Sequence, residues 1–185
     1  MMHTATDLAL FKVLQKKTED FATPPSFEDQ YPLLLPLEAV RGCSQTLFPL
    51  SQGHFVRTVS GHCLNLGVLE KYGSVIKCQD KEPPNLEDLW PGVLLKVACI
   101  QPLVTHQVHQ QKVVLKRPAV EGSVLLIDEN ETFPLLCKGN QVEVPKGLKG
   151  YISYRPFLYM MVKNFSVLYD EWKQSAGWVL ELEEY

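Results

Sequence analysis

The chain has 185 residues, enough for one ordinary domain whose interior needs no metal or disulfide to hold it together. Apolar residues make up 45% and charged residues 21%, a balance that excludes a disordered or collagen-like chain. Eighteen basic against twenty-one acidic side chains leave a net charge of -3, so no global pull toward nucleic acid or anionic lipid is expected.

The N-terminal run Met1-Met2-His3-Thr4-Ala5-Thr6-Asp7 has neither the basic start nor the apolar core of a signal peptide. Thr4 followed by Asp7 resembles a capping box, and Leu8, Phe11 and Leu14 recur at helical spacing, with Leu10 widening the stripe. These residues predict a helix over residues 1–22. Pro24-Pro25 ends it, because proline lacks an amide donor and disfavours helix in the residue before it. Residues 23–32 then read as a linker leading to a single β-rich domain over residues 33–185.

Short apolar runs bounded by Gly, Pro, Asp or Asn follow at 33–40, 46–50, 54–59, 75–78, 93–100, 113–115, 124–127 and 141–144. Such runs predict strands of an antiparallel sheet or barrel. Helical interruptions are expected at 63–71 and 86–90. Near the C-terminus Pro156 suits the first turn of a helix, and Phe157, Met161, Phe165, Leu168 and Trp172 share one helical face. A C-terminal helix over 157–173 is therefore expected, then a closing strand in which Leu180 and Leu182 alternate with Glu181 and Glu183. The expected fold class is mainly β within α+β: an antiparallel sheet or barrel with an N-terminal and a C-terminal helix.

No apolar run approaches the ~20 residues of a membrane helix, so no membrane insertion is expected. The five cysteines are Cys43, Cys63, Cys78, Cys99 and Cys137. An odd number without a secretory signal points to free thiols in a reducing compartment, cytoplasmic or nuclear. Cys78 and Cys99 sit in apolar runs where cysteine packs as a small hydrophobe, while the reactivity of Cys63 and Cys137 stays open. A thiol hydrolase would need a base, and His62 adjoins Cys63. Neighbours on a strand face opposite ways, however, and nothing selects a remote pair such as Cys137 with His54.

His106 and His109 lie at a spacing that could share a metal on a helix, yet no Cys-x-x-Cys, His-Glu-x-x-His or carboxylate cluster completes a shell. No catalytic, cofactor-binding or metal-ligating residue is assigned, and no cofactor is expected. Lys112, Lys116, Arg117, Lys146 and Lys149 could form a basic face for nucleic acid on a barrel, although stacking aromatics are absent there before Tyr151. Asp128-Glu129-Asn130-Glu131 lacks the alternating oxygen ligands and central glycine of a calcium loop and reads as a hairpin turn. Tyr169 and Tyr185 stand beside acidic residues, as phosphorylated tyrosines often do.

The most distinctive run is Phe48-Pro49-Leu50-Ser51-Gln52-Gly53-His54-Phe55, with Cys43 upstream. A related run, Phe133-Pro134-Leu135-Leu136-Cys137-Lys138-Gly139, follows later in the chain. Together they resemble the central pattern of the CABIT module of the Themis and Garem adaptor families. Two residues rather than three precede Gly53, and Gln141 stands where that pattern has phenylalanine. The resemblance implies an all-β intracellular module that binds other proteins in signalling rather than catalysing a reaction. It also implies a structural role for Cys43, Pro49, Leu50, Gly53, Phe55, Pro134 and Gly139. A nucleic-acid-binding barrel and a Cys-dependent hydrolase remain the alternative readings.

Overall fold

The computed structural model describes residues 7–14, 30–33, 35–50, 55–65, 70–84, 89–105, 108, 111–128 and 131–185. In chain order its strands are β1 (Ala9–Val13), β2 (Gln30–Pro32), β3 (Ser44–Pro49), β4 (Phe55–Arg57), β5 (Cys63–Asn65), β6 (Tyr72–Asp80), β7 (Leu94–Ala98) and β8 (Leu103–Val104). There follow β9 (Lys112–Val114), β10 (Leu125–Ile127), β11 (Thr132–Pro134), β12 (Cys137–Lys138), β13 (Gln141–Glu143), β14 (Tyr151–Tyr154), β15 (Phe157–Asp170) and β16 (Ser175–Glu184).

Seven of them form an open antiparallel sheet in the order β2-β1-β7-β15-β16-β6-β3. Side chains alternate across it as the pleat requires. On β16, Ala176, Trp178, Leu180 and Leu182 are buried while Gly177, Val179 and Glu181 take the other face. Leu10, Ile76, Leu95, Leu158 and Met160 complete the same core. Trp178 is its largest fully buried side chain, and its indole N–H donates to the Ala39 carbonyl at 2.7 Å. That bond fixes the short 3-10 turn Leu37–Ala39 over the sheet.

The segment between β7 and β15 folds around a second core, which includes Leu115, Val124, Leu126, Val142 and Ile152. It comprises a four-stranded sheet, β11-β10-β14-β8, and a three-stranded one, β12-β13-β9. Backbone bonds bind this inserted unit to the large sheet: Cys99 N–H to the Pro156 carbonyl at 3.0 Å and Phe157 N–H to the Pro118 carbonyl at 2.8 Å. Arg117 adds a clamp, its Nε and Nη2 donating to the two Glu184 carboxylate oxygens at 2.8 and 3.0 Å. Its guanidinium also lies 4.8 Å from the Tyr72 ring centre.

The two proline runs occupy comparable places. Phe48-Pro49 ends β3 and Phe133-Pro134 ends β11, each an edge strand, where a residue without an N–H costs no ladder bond. Each is followed by a hairpin, β4–β5 and β12–β13. Gly139 opens the two-residue turn between Lys138 and Gln141 with φ 61°, a conformation that favours glycine. Gly73 has another reason to lack a side chain: the Phe48 ring, directly opposite on β3, fills the space a Cβ would take.

Both expected helices are corrected. Residues 9–13 form β1, paired to β7 with Leu10 opposite Val97, and residues 157–170 form β15. In each stretch the apolar residues are dense enough to satisfy a period of two as well as 3.6. On β15 the buried residues are Leu158, Met160 and Val162, not the helical stripe. Among the described residues the only helical geometry is the turn at Leu37–Ala39, inside a run expected to be a strand. Cys63–Asn65, where a helical interruption was expected, is likewise a strand. The remainder of the proposed N-terminal helix, at residues 1–6 and 15–22, and residues 86–88 lie outside the described residues. The closing strand agrees with the alternation read from its sequence.

Replacing Trp178 by Phe removes the donor to a buried carbonyl as well as ring volume. The variant should lose about 1–3 kcal/mol in urea unfolding. An unchanged midpoint would show that the indole does not anchor the turn.

Candidate functional site: the β15–β16 arm

β15 is longer than its neighbour on one side. It pairs with β7 only from Phe157 to Met161, whereas its pairing with β16 runs to Asp170 opposite Ser175. At Val162 the β7 side is still engaged, with Val162 N–H bonded to the Val93 carbonyl and Gly92 N–H to the Val162 carbonyl, both at 2.8 Å. A bulge between Val162 and Asn164 follows, and beyond it no described strand pairs with that edge. The end of the hairpin is therefore an arm with one open edge, its other strand still paired with β6 as far as Ala176 opposite Asp80.

Hydrogen-bonding direction alternates along a strand, so the edge's polarity can be worked out. Both main-chain groups of Val162 point toward β7, so its opposite residue, Leu182, points away from β15. Two-residue steps along β16 give Leu180, Trp178 and Ala176 the same direction. Their opposites Phe165, Val167 and Tyr169 must then aim their N–H and C=O groups at the open edge.

The arm is apolar as well as open. Leu168 is 75% exposed, Tyr169 58% and Trp172 97%, with Val167 exposed beside them. Val167 and Tyr169 lie on the Trp178 face of the strand and Leu168 on the other, so exposed apolar side chains flank the open edge on both faces. The turn that carries Trp172 is pinned by Asp170, whose Oδ1 accepts from the N–H groups of Trp172 and Lys173, each at 3.1 Å. Gln174 closes it with φ 46°. At the arm's base an open groove of about 670 Å³ is lined by Ser44, Lys77, Gln79, Leu168 and Val179. Next in the chain to the lining residues Gly42 and Gln79, Arg41 and Asp80 form an ion pair, with Arg41 Nη2 3.0 Å from Asp80 Oδ1. Burial works against the Asp80 charge, yet the Arg41 side chain and the N–H groups of Lys81 and Arg41 outweigh it and hold the carboxyl below its ordinary range.

The residues singled out for catalysis are dispersed. Cys43 falls one rung beyond Ser44 opposite Lys77, and so faces Cys78. Burial, then the hydrogen bond to Cys78, pushes the Cys43 thiol far up; burial also raises Cys78, whose Sγ donates to the Arg41 carbonyl at 3.4 Å. Burial takes Cys99 up to about 12 and raises Cys137, whose Sγ donates to the Gly139 carbonyl at 3.0 Å. All five thiols are free, and Cys63 is exposed on β5. His54, His106 and His109 lie outside the described residues. Among the described residues no three His, Cys, Asp or Glu side chains gather as a metal site, and no helix is long and apolar enough to cross a membrane.

Lys112 lies 4.0 Å from Glu143, Lys116 lies 2.7 Å from Glu70, and Arg117 is held by Glu184, while Lys146 and Lys149 are exposed. Asp128 N–H bonds to the Glu131 carbonyl at 3.0 Å between β10 and β11, the hairpin expected there. Of the run around Pro49, Leu50 N–H bonds to the Lys71 carbonyl at 2.9 Å, Phe55 starts β4, and Gly53 lies outside the described residues. Tyr169 lies on the arm, and Tyr185 is exposed with its N–H bonded to the Tyr159 carbonyl. Leu168 and Trp172 were hidden from sequence reasoning because a helix would have placed them on its buried stripe. The one available signal was their nearness to the turn-forming Asp170.

Comparison with protein-family models, curated proteins and solved structures finds no match to the chain.

Two outcomes are expected. Asp170→Ala removes both turn bonds and should cost about 1 kcal/mol, whereas Asp170→Asn keeps an acceptor and most of the stability; equal losses would show that the carboxylate does not pin the turn. Iodoacetamide at neutral pH should label Cys63 first and reach Cys78 and Cys99 only on unfolding, since a buried, protonated thiol is a poor nucleophile. Native-state labelling of Cys99 at the rate of Cys63 would contradict that packing.

Proposed function

We propose that this chain is a non-enzymatic protein-interaction domain of the adaptor type, and that the β15–β16 arm is its docking surface. The observation that carries the reading is the coincidence, on one short element, of an open strand edge with exposed Val167, Leu168, Tyr169 and Trp172. Main-chain groups along such an edge supply affinity, and neighbouring side chains supply choice of partner. Aromatic anchors at a surface centre typically dominate binding energy. The resemblance of the two proline runs to the CABIT module of signalling adaptors supports the same reading. The raised thiols of Cys43, Cys78 and Cys99 weigh against a cysteine-dependent hydrolase. Five free cysteines are in keeping with work in a reducing compartment, the cytoplasm or nucleus.

The test is affinity capture from cell lysate with the full chain, beside the surface variants Leu168→Ser and Trp172→Ala. Both residues are exposed, so the variants should melt with the parent, within about 0.5 kcal/mol. A reproducible set of captured proteins lost in both variants is the expected result. The same set retained in both would remove the arm as the docking surface.

A further inference from the structure

We propose that Cys43 and Cys78 form a reversible cross-strand disulfide that latches the edge strand β3 to β6. The pairing follows from the ladder. Leu50 N–H bonds to the Lys71 carbonyl, so steps of two make Phe48–Gly73, Thr46–Val75 and Ser44–Lys77 the hydrogen-bonded pairs. The β3 residues between them point their main-chain groups away from β6, as Leu47 shows by donating its N–H to Gln101 Oε1 at 2.8 Å. Cys43 opposite Cys78, the next rung, is therefore a non-hydrogen-bonded pair. Such pairs bring their Cα atoms to about 4.5 Å, with the side chains close together on one face. A disulfide takes Cα separations of about 4.4–6.8 Å, so the strands need not part to admit it.

The surroundings hold the two sulfurs together. Both side chains lie on the core face, Cys78 within the cluster of Ile76 and Trp178 and Cys43 packed against it. Cys43 is hydrogen-bonded to Cys78, whose Sγ in turn donates to the Arg41 carbonyl at 3.4 Å. The chain just before Cys43 is anchored to the same strands. Trp178, opposite Cys78 on β16, donates to the Ala39 carbonyl, and the Arg41 N–H donates to Asp80 Oδ2 at 2.9 Å. The other thiols are not so placed: Cys63 stands opposite Arg57, Cys137 opposite Val142, and Cys99 Sγ donates to the Val97 carbonyl.

The oxidant is a small disulfide such as oxidised glutathione. Cys43 is half-buried and Cys78 only 5% exposed, so the reagent meets Cys43 first. The Cys43 sulfur gives up its proton and bonds to one sulfur of the reagent, whose S–S bond breaks to release one thiol. Cys78 then attacks the Cys43 sulfur of this mixed disulfide, and the second thiol leaves. The two protein sulfurs lose two electrons to the reagent's sulfurs, and their protons end on the released thiols. Burial keeps both cysteines protonated, so the step is slow and answers sustained oxidation rather than a brief pulse. Until then the two thiols pack as neutral groups. Disulfides in reducing compartments are usually of this transient, sensing kind. The latch acts at β3, with β6 and β16 between it and β15, and does not depend on the docking reading of the arm.

The test holds the full chain overnight with excess oxidised glutathione at mildly alkaline pH, with circular dichroism confirming the fold. Digestion without reduction, followed by mass spectrometry, locates each bond. The expected product joins Cys43 to Cys78, is reversed by dithiothreitol, and is absent from Cys43→Ser and Cys78→Ser. Cys43 sits at the margin of the core, so Cys43→Ser keeps the fold and decides alone if Cys78→Ser does not. In the oxidised chain, amide exchange at Ser44, Thr46 and Phe48, whose N–H groups face β6, should slow about tenfold.

Failure to form the bond in the folded chain overturns the proposal. So does Cys43 resting as a mixed disulfide with Cys78 still a thiol, because the two sulfurs then do not meet. A bond that leaves exchange along β3 unchanged overturns it equally, since nothing has been latched.

Discussion

The antiparallel ladder between β15 and β16 is the contact on which the rest of the molecule leans. It runs from Met160 opposite Glu184 to Asp170 opposite Ser175, interrupted by one bulge. At one end it is the middle of the large sheet, with β7 on one side and β6 on the other. At the other end it has outrun β7 and leaves one edge open, while β16 stays paired with β6 as far as Ala176 opposite Asp80. A single hairpin in water is marginally stable at best. Here β6 continues beside β16, and Trp178, opposite Val167, is buried in the core, so the open edge is carried by a packed sheet. The same element that organises the fold therefore presents its most unusual surface.

The inserted unit is tied to this ladder at its root. β15 begins where Phe157 N–H meets the Pro118 carbonyl, and β16 ends where Glu184 takes Arg117. Burial penalises the Arg117 charge, but the Glu184 carboxylate outweighs the penalty and holds the guanidinium above its ordinary value. Glu184 also accepts from the Tyr72 N–H at 2.8 Å, so one carboxylate joins β6, β16 and the insert. Breaking such a shielded pair leaves an uncompensated charge, which is what makes a pair of this kind an anchor rather than a decoration. A cation read from sequence as a candidate for nucleic-acid contact is thus consumed in joining two cores.

The paired proline runs show how local chemistry and sheet position agree. Proline has no ladder donor, and both runs place it on an edge strand that ends before a hairpin. Phe48 is partly exposed, its ring lying over the backbone of Gly73. The thiols tell a parallel story. Cys43 and Cys78 face each other across β3 and β6, and burial keeps both protonated, so their proximity serves packing.

By itself the sequence determined the strands bounded by punctuation. Glycine and proline break the chain where they stand, and short Val-, Ile- and Leu-rich runs between them have few alternatives. The strands near 75–78, 93–100, 124–127 and 141–144 were legible for that reason, as was the closing strand, with Glu181 between Leu180 and Leu182. Only the tertiary structure decided residues 9–13 and 157–170. Their apolar side chains crowd consecutive positions and fit either period, so the choice fell to the neighbours: β7 offers a ladder to both segments, and β16 offers one to the second. The arm was illegible for the same reason. Whether Leu168 and Trp172 are buried or exposed depends on where β7 stops, and that limit is set by a strand more than sixty residues earlier in the chain.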